Sequence, residues 1–181
     1  CVDASGSMGV QKRMEEVKGL VMSVLQTNYI YRDKVSLVVF RDNKADLILQ
    51  PTRSVDLAKK HLEEIPTGGN TPLLLGMTRA YELAIAEKEN NSGYIPLIML
   101  ISDGRTSMDS ETTVDEIIKI SDLIAHSHIE LIVVDTEDPN CSVGISQMIA
   151  EQTGAIYYHI DSLNQDNMRE ILKREHLWGE E

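Results

Sequence analysis

The sequence predicts an α/β fold: a doubly wound, mostly parallel six-stranded sheet with one antiparallel edge strand and helices on both faces. Three observations predict it. Short β-branched runs alternate with longer stretches of helical period along the 181 residues, as a parallel sheet with crossover helices requires. Several runs are apolar at nearly every position, the pattern of strands covered on both faces. One pair of runs is separated by no more than the segment RDNKA, which is too short for a crossover.

The elements follow in order. CVD (1–3) reads as the last residues of a strand whose beginning is missing, so the chain is expected to be a piece of a longer protein. VQKRMEEVKGLVMSVLQ then places Val10, Met14, Val17, Val21 and Val24 on one side of a first helix. VSLVVF (35–40) and ADLILQ (45–50) form a hairpin through RDNKA, and one of the two runs antiparallel at an edge. The 72–88 segment puts Leu73, Met77, Ala80, Tyr81 and Ala84 on one helical face, with Pro72 suited to the first helical position. PLIMLIS (96–102), a helix over 112–126, IELIVVD (129–135), a helix over 144–153, AIYYHID (155–161) and a last helix over 165–174 complete the pattern. With no internal repeat or linker, residues 1–181 form one domain, large enough to bury roughly 70% of the surface of its unfolded chain.

Composition narrows the function. The formal charge is −12, from 29 acidic and 17 basic residues spread along the chain. Such a field repels phosphate backbones and anionic lipid heads, so neither nucleic acid nor a membrane surface is an expected partner. It favours bound cations. No apolar run reaches the length that spans a bilayer, and the two cysteines, Cys1 and Cys141, are too few for a disulfide framework. Both point to a soluble, cytoplasmic protein.

In an open α/β sheet, ligands gather beyond the carboxyl ends of the strands, where strand order reverses. Three segments should reach that crevice. DASGSM supplies Asp3, Ser5 and Ser7 at alternate positions, with Gly6 and Gly9 relieving the backbone. PTGGNTPL (66–73) frees its backbone at two glycines and places Thr71 before Pro72. ISDGR ends a strand on Asp103. An all-oxygen set of two carboxylates and three hydroxyls suits a hard divalent cation such as Mg²⁺, with Mn²⁺ or Ca²⁺ as alternatives.

At Asp3, Ser5, Ser7, Thr71 and Asp103 the chain resembles the von Willebrand factor A, or integrin I-like, family, whose metal-ion-dependent adhesion site has the form DxSxS…T…D. The resemblance implies that the hydroxyls touch the metal, that the aspartates often act through water, and that a partner's Asp or Glu completes the shell. Gly69, Asn70, Arg105 and Thr106 would then form the rim facing that partner. DASGSM, RDKVSLVVFR, PTGGNTPL and ELIVVDTE (130–137) together resemble the C-terminal domain of the D-type component of magnesium chelatase and of related cobaltochelatase components. This implies a non-catalytic domain that bridges an AAA+ ATPase and a porphyrin-binding subunit for metal insertion into a tetrapyrrole. No GxxxxGK[ST] occurs, so nucleotide hydrolysis belongs elsewhere.

Other readings compete. A general adhesion or scaffolding A domain would share the site without any link to tetrapyrroles. A dehalogenase-like phosphatase with Asp3 as nucleophile wants a second carboxylate two residues on, where Ser5 stands. Ser7 is not in a GxSxG elbow, which disfavours a serine hydrolase. His61, His126, His128, His159 and His176 read as surface or structural groups rather than zinc ligands. Glu15, Glu16, Glu63 and Glu64 read as solvated helix faces.

Overall fold

The computed structural model describes residues 1–6, 11–31, 33–65, 67–106, 111–141 and 143–163, together with Met168 and Ile171. Its strands are β1 (Val2–Asp3), β2 (Val35–Arg41), β3 (Lys44–Thr52), β4 (Leu97–Ser102), β5 (Glu130–Asp135) and β6 (Ile156–His159). Helices α1 (Gln11–Tyr31), α2 (Val55–Glu63), α3 (Leu73–Asn90), α4 (Glu111–His126) and α5 (Ile145–Thr153) connect them.

The six strands lie in the order β3-β2-β1-β4-β5-β6. All pairs are parallel except β2–β3. The expected antiparallel edge strand is therefore β3, turned back through Asp42, whose φ is 53°. Short polar residues tolerate this left-handed region better than branched ones.

The apolar runs divide by the two-residue period of a strand. Leu131 and Val133 of β5 pack with α3, α4 and α5, whereas Ile132 and Val134 pack with α1 on the opposite face. All four are buried, and each contributes about 1.5–3 kcal/mol on leaving water. Both faces of the sheet thus carry a core, as the unbroken hydrophobicity of IELIVVD requires. Met14 and Val17 of α1 and Leu73, Met77, Ala80 and Ala84 of α3 are buried as their spacing predicts.

Two details depart from the sequence reading. Pro72 takes the N-cap position and α3 begins at Leu73, one residue later than expected and within the ordinary looseness of helix ends. Helix α2 has no counterpart in the sequence reading. It is nine residues long, buries only Ala58 and Leu62, and starts on Ser54, whose side chain accepts from the Leu57 N–H. Of the predicted helix over 165–174, only Met168 and Ile171 are described, and both are buried.

The order of strands reverses between β1 and β4, because β1 connects onward to one side of the sheet and β4 to the other. Residues 3–6 and 102–105 leave the sheet at that point, at its carboxyl end. A cavity of about 340 Å³ lies at the opposite end, lined by Val35, Leu97 and Met99 among others.

Candidate metal centre

Strand pairing brings the first carboxylates together. Val2 of β1 is in register with Ile101 of β4, so Asp3 and Ser102 leave the sheet side by side. The Ser102 hydroxyl donates to Asp3 Oδ2 at 2.7 Å, and the Ser5 backbone N–H donates to Asp3 Oδ1 at 2.9 Å. The Ser102 oxygen in turn accepts from the Gly104 N–H at 3.1 Å. Asp3 is fully buried, and Ser5 and Asp103 nearly so.

Burial sets the electrostatics. Loss of solvent pushes the Asp3 carboxyl up from 3.8 to about 6; hydrogen bonds from Ser5 and Ser102 pull against this, and the neighbouring charge of Asp103 adds to it. Two buried carboxylates repelling one another form an arrangement that favours a cation. Asp103 Oδ1 accepts the Arg105 N–H at 3.1 Å, while Arg105 Nε stands 3.9 Å from Asp103 Oδ2.

The loop carrying Thr71 is tied to the same place through backbone bonds. The Gly68 N–H donates to the Ala4 carbonyl at 2.9 Å, and the Gly6 N–H donates to the Gly69 carbonyl at 2.7 Å. A side chain at either end of this contact would be crowded, for different reasons. A Cβ on Gly6 would stand 3.1 Å from the Gly69 oxygen, whereas Gly69 has φ +81° and a Cβ there would run into the Asp42 side chain. Thr71 follows two residues later and is buried.

Asp3, Ser5 and Asp103 thus meet, with Thr71 brought to the same end of the sheet by the Gly68–Ala4 and Gly6–Gly69 backbone bonds. Ser7, the fifth predicted ligand, lies outside the described residues, as does Gly9. At the predicted rim, Gly69, Asn70 and Arg105 are exposed and Thr106 is half-buried. The donors are carboxylates and hydroxyls, a set suited to Mg²⁺. Among the described residues no three His, Cys, Asp or Glu side chains gather as a metal cluster, and a site of two carboxylates and hydroxyls would not be of that kind.

The sequence reading missed Ser102 and a second buried group beside it. Asp135, Thr136 and Glu137, at the end of β5, are each buried. The Thr136 N–H donates to the Ser102 carbonyl at 3.0 Å. The Tyr157 hydroxyl donates to Asp135 Oδ2 at 2.6 Å. Glu137 Oε1 accepts from the Val143 N–H at 2.6 Å, and its Oε2 from Gly144 at 3.3 Å. His159 Nε2 lies 2.7 Å from the Glu137 carbonyl and His126 Nδ1 2.7 Å from that of Asp122. The acidic pair in ELIVVDTE was the available signal.

Comparison with known proteins agrees with this architecture. A sequence profile described as von Willebrand factor type A domain matches residues 1–105. An uncharacterized protein of Methanocaldococcus jannaschii is 38% identical over 92% of this chain and 97% of its own length. The magnesium-chelatase 67 kDa subunit of Heliobacterium mobile is 34% identical over 95% of this chain. The chain spans only 27% of that protein. Among solved structures, the hypothetical protein BatB from Bacteroides thetaiotaomicron superposes with a TM-score of 0.73, covering 97% of this chain and 96% of BatB at 21% identity.

Proposed function

Given that the chain belongs to the von Willebrand factor type A domain family, we propose that it is a metal-dependent protein-binding module. Asp3, Ser5, Ser7, Thr71 and Asp103 would hold one Mg²⁺ and leave a position for an Asp or Glu of a protein partner. One observation carries this reading: two carboxylates from separate strands, Asp3 and Asp103, are buried close enough for their charges to interact. A divalent cation offsets both charges and so removes the local negative charge by which a protein of net charge −12 would otherwise repel an acidic partner. Neutral hydroxyls leave that cation electrophilic, so an incoming carboxylate gains a charge-assisted bond.

Similarity to magnesium-chelatase subunits supports a place in a chelatase-type complex. The module would join an AAA+ ATPase to a porphyrin-binding subunit and take no part in the chemistry of insertion. Gly69, Asn70, Arg105 and Thr106 would form the partner-facing rim. The second reading is a general adhesion or scaffolding module with no tie to tetrapyrroles; the relative from M. jannaschii, of which the chain spans 97%, is a protein of little more than this domain's length. No helix among the described residues is long and apolar enough to cross a membrane.

The test is capture of candidate AAA+ and porphyrin-binding subunits by this chain, in Mg²⁺ and in EDTA. The proposal expects retention in Mg²⁺ only, abolished by Thr71→Ala. Retention that ignores both the chelator and the substitution would overturn it. Failure to capture either subunit, with another acidic protein held in a Mg²⁺-dependent way, would favour the second reading.

A further inference from the structure

We propose that Glu137 is a positioning residue for the metal centre: it shares the Arg105 guanidinium with Asp103 and so keeps the Asp103 carboxylate available to the cation. This rests on the metal-binding reading above.

The geometry is a contest for one cation. Arg105 Nε stands 3.9 Å from Asp103 Oδ2 and 4.0 Å from Glu137 Oε1. Neither distance is a hydrogen bond, so the guanidinium is balanced between two buried carboxylates while almost half its surface, 45%, remains exposed. Asp103 cannot readily leave the contest, because its Oδ1 is fixed by the Arg105 N–H. Were the guanidinium to close on Oδ2, Arg105 would neutralise the carboxylate that the cation needs.

Glu137 prevents that closure because it is itself immobile. Its two carboxylate oxygens are held by the Val143 and Gly144 N–H groups. Its backbone is fixed on both sides, by the N–H to Asp135 Oδ1 at 2.8 Å and by the carbonyl to His159 Nε2. At 2% exposure its charge is poorly screened by solvent, so it attracts Arg105 as strongly as Asp103 does at nearly equal distance. Asp138 also feels Arg105, but that carboxylate is exposed and competes weakly.

A double-mutant cycle read as Mn²⁺ affinity tests this, using the 181-residue chain and paramagnetic resonance of free Mn²⁺. Glu137→Gln, whose amide oxygen can still accept a loop N–H, should weaken Mn²⁺ binding several-fold, because Arg105 moves onto Asp103. In an Arg105→Ala background the same substitution should change affinity less than twofold. An equal loss in both backgrounds would overturn the inference, since Glu137 would then act through its field or the loop and not through Arg105. If Glu137→Gln does not fold, Glu137→Asp, with a shorter reach toward Arg105, makes the same comparison. Absence of Mn²⁺ binding by the wild-type chain would remove the metal-binding reading and this inference together, whereas wild-type binding with an additive cycle would remove this inference alone.

Discussion

Replacing Asp3 by Asn should stabilise the metal-free protein while destroying its metal site. Asp3 is fully buried and its carboxyl is pushed up from 3.8 to about 6, first by desolvation. The native state therefore holds this proton more tightly than the unfolded chain. The associated stability is complete below pH 3.8 and is lost as the pH rises to about 6 and beyond. The distance from 3.8 to about 6, at about 1.4 kcal/mol per pH unit, makes an ionised Asp3 cost about 3 kcal/mol at neutral pH. Asn removes that cost. Its oxygen can still accept the Ser5 N–H, but the amide group now meets the Ser102 hydroxyl, which must reverse its role while also accepting from Gly104. That rearrangement costs about 1 kcal/mol, leaving a net gain of about 2 kcal/mol. Urea unfolding followed by circular dichroism in EDTA should show the gain at pH 7 and little or none at pH 4. An Asp3→Asn protein less stable than wild type at both values would refute the idea that burial dominates this carboxylate.

Other substitutions probe the frame around the site. Gly69→Ala places a Cβ against Asp42 at a φ of +81°; it should lose about 1–2 kcal/mol in the same unfolding assay and weaken Mn²⁺ binding, because the Gly6–Gly69 bond that carries the Thr71 loop is displaced. Unchanged affinity would separate that loop from the site. Tyr157→Phe removes the donor to buried Asp135 and should cost about 1.5–3 kcal/mol with Mn²⁺ affinity unaltered. The phenol is pushed well above its ordinary value by desolvation and by the Asp135 carboxylate, so the ultraviolet titration should contain a late-ionising phase that vanishes in Tyr157→Phe.

The central strands were legible because their runs are hydrophobic enough to fill both faces of the sheet, and the antiparallel edge because RDNKA leaves room for nothing but a turn. The meeting of Asp3 with Asp103 followed from the rule that strand ends converge where strand order reverses. Helix α2 was not legible: its nine residues bury two side chains, too faint a stripe to stand out by period, although Ser54 and Asp56 carried a start signal. Ser102 looked like the last residue of a strand. Its role depends on a hydroxyl reaching Asp3, 99 positions away, which no local pattern records. Glu137 would ordinarily read as a solvated loop residue, and no local pattern records that residues 143 and 144 return onto its carboxylate.

The most direct test of the central claim is a Mn²⁺ titration of the wild-type chain alongside Asp3→Ala and Thr71→Ala. With the partner's carboxylate absent the shell is incomplete, so one weak site is expected, with a dissociation constant of about 10⁻⁴–10⁻³ M, lost in both variants while their circular dichroism is retained. Binding that survives both substitutions, or a wild-type chain that takes up no Mn²⁺ at millimolar concentration, would contradict it.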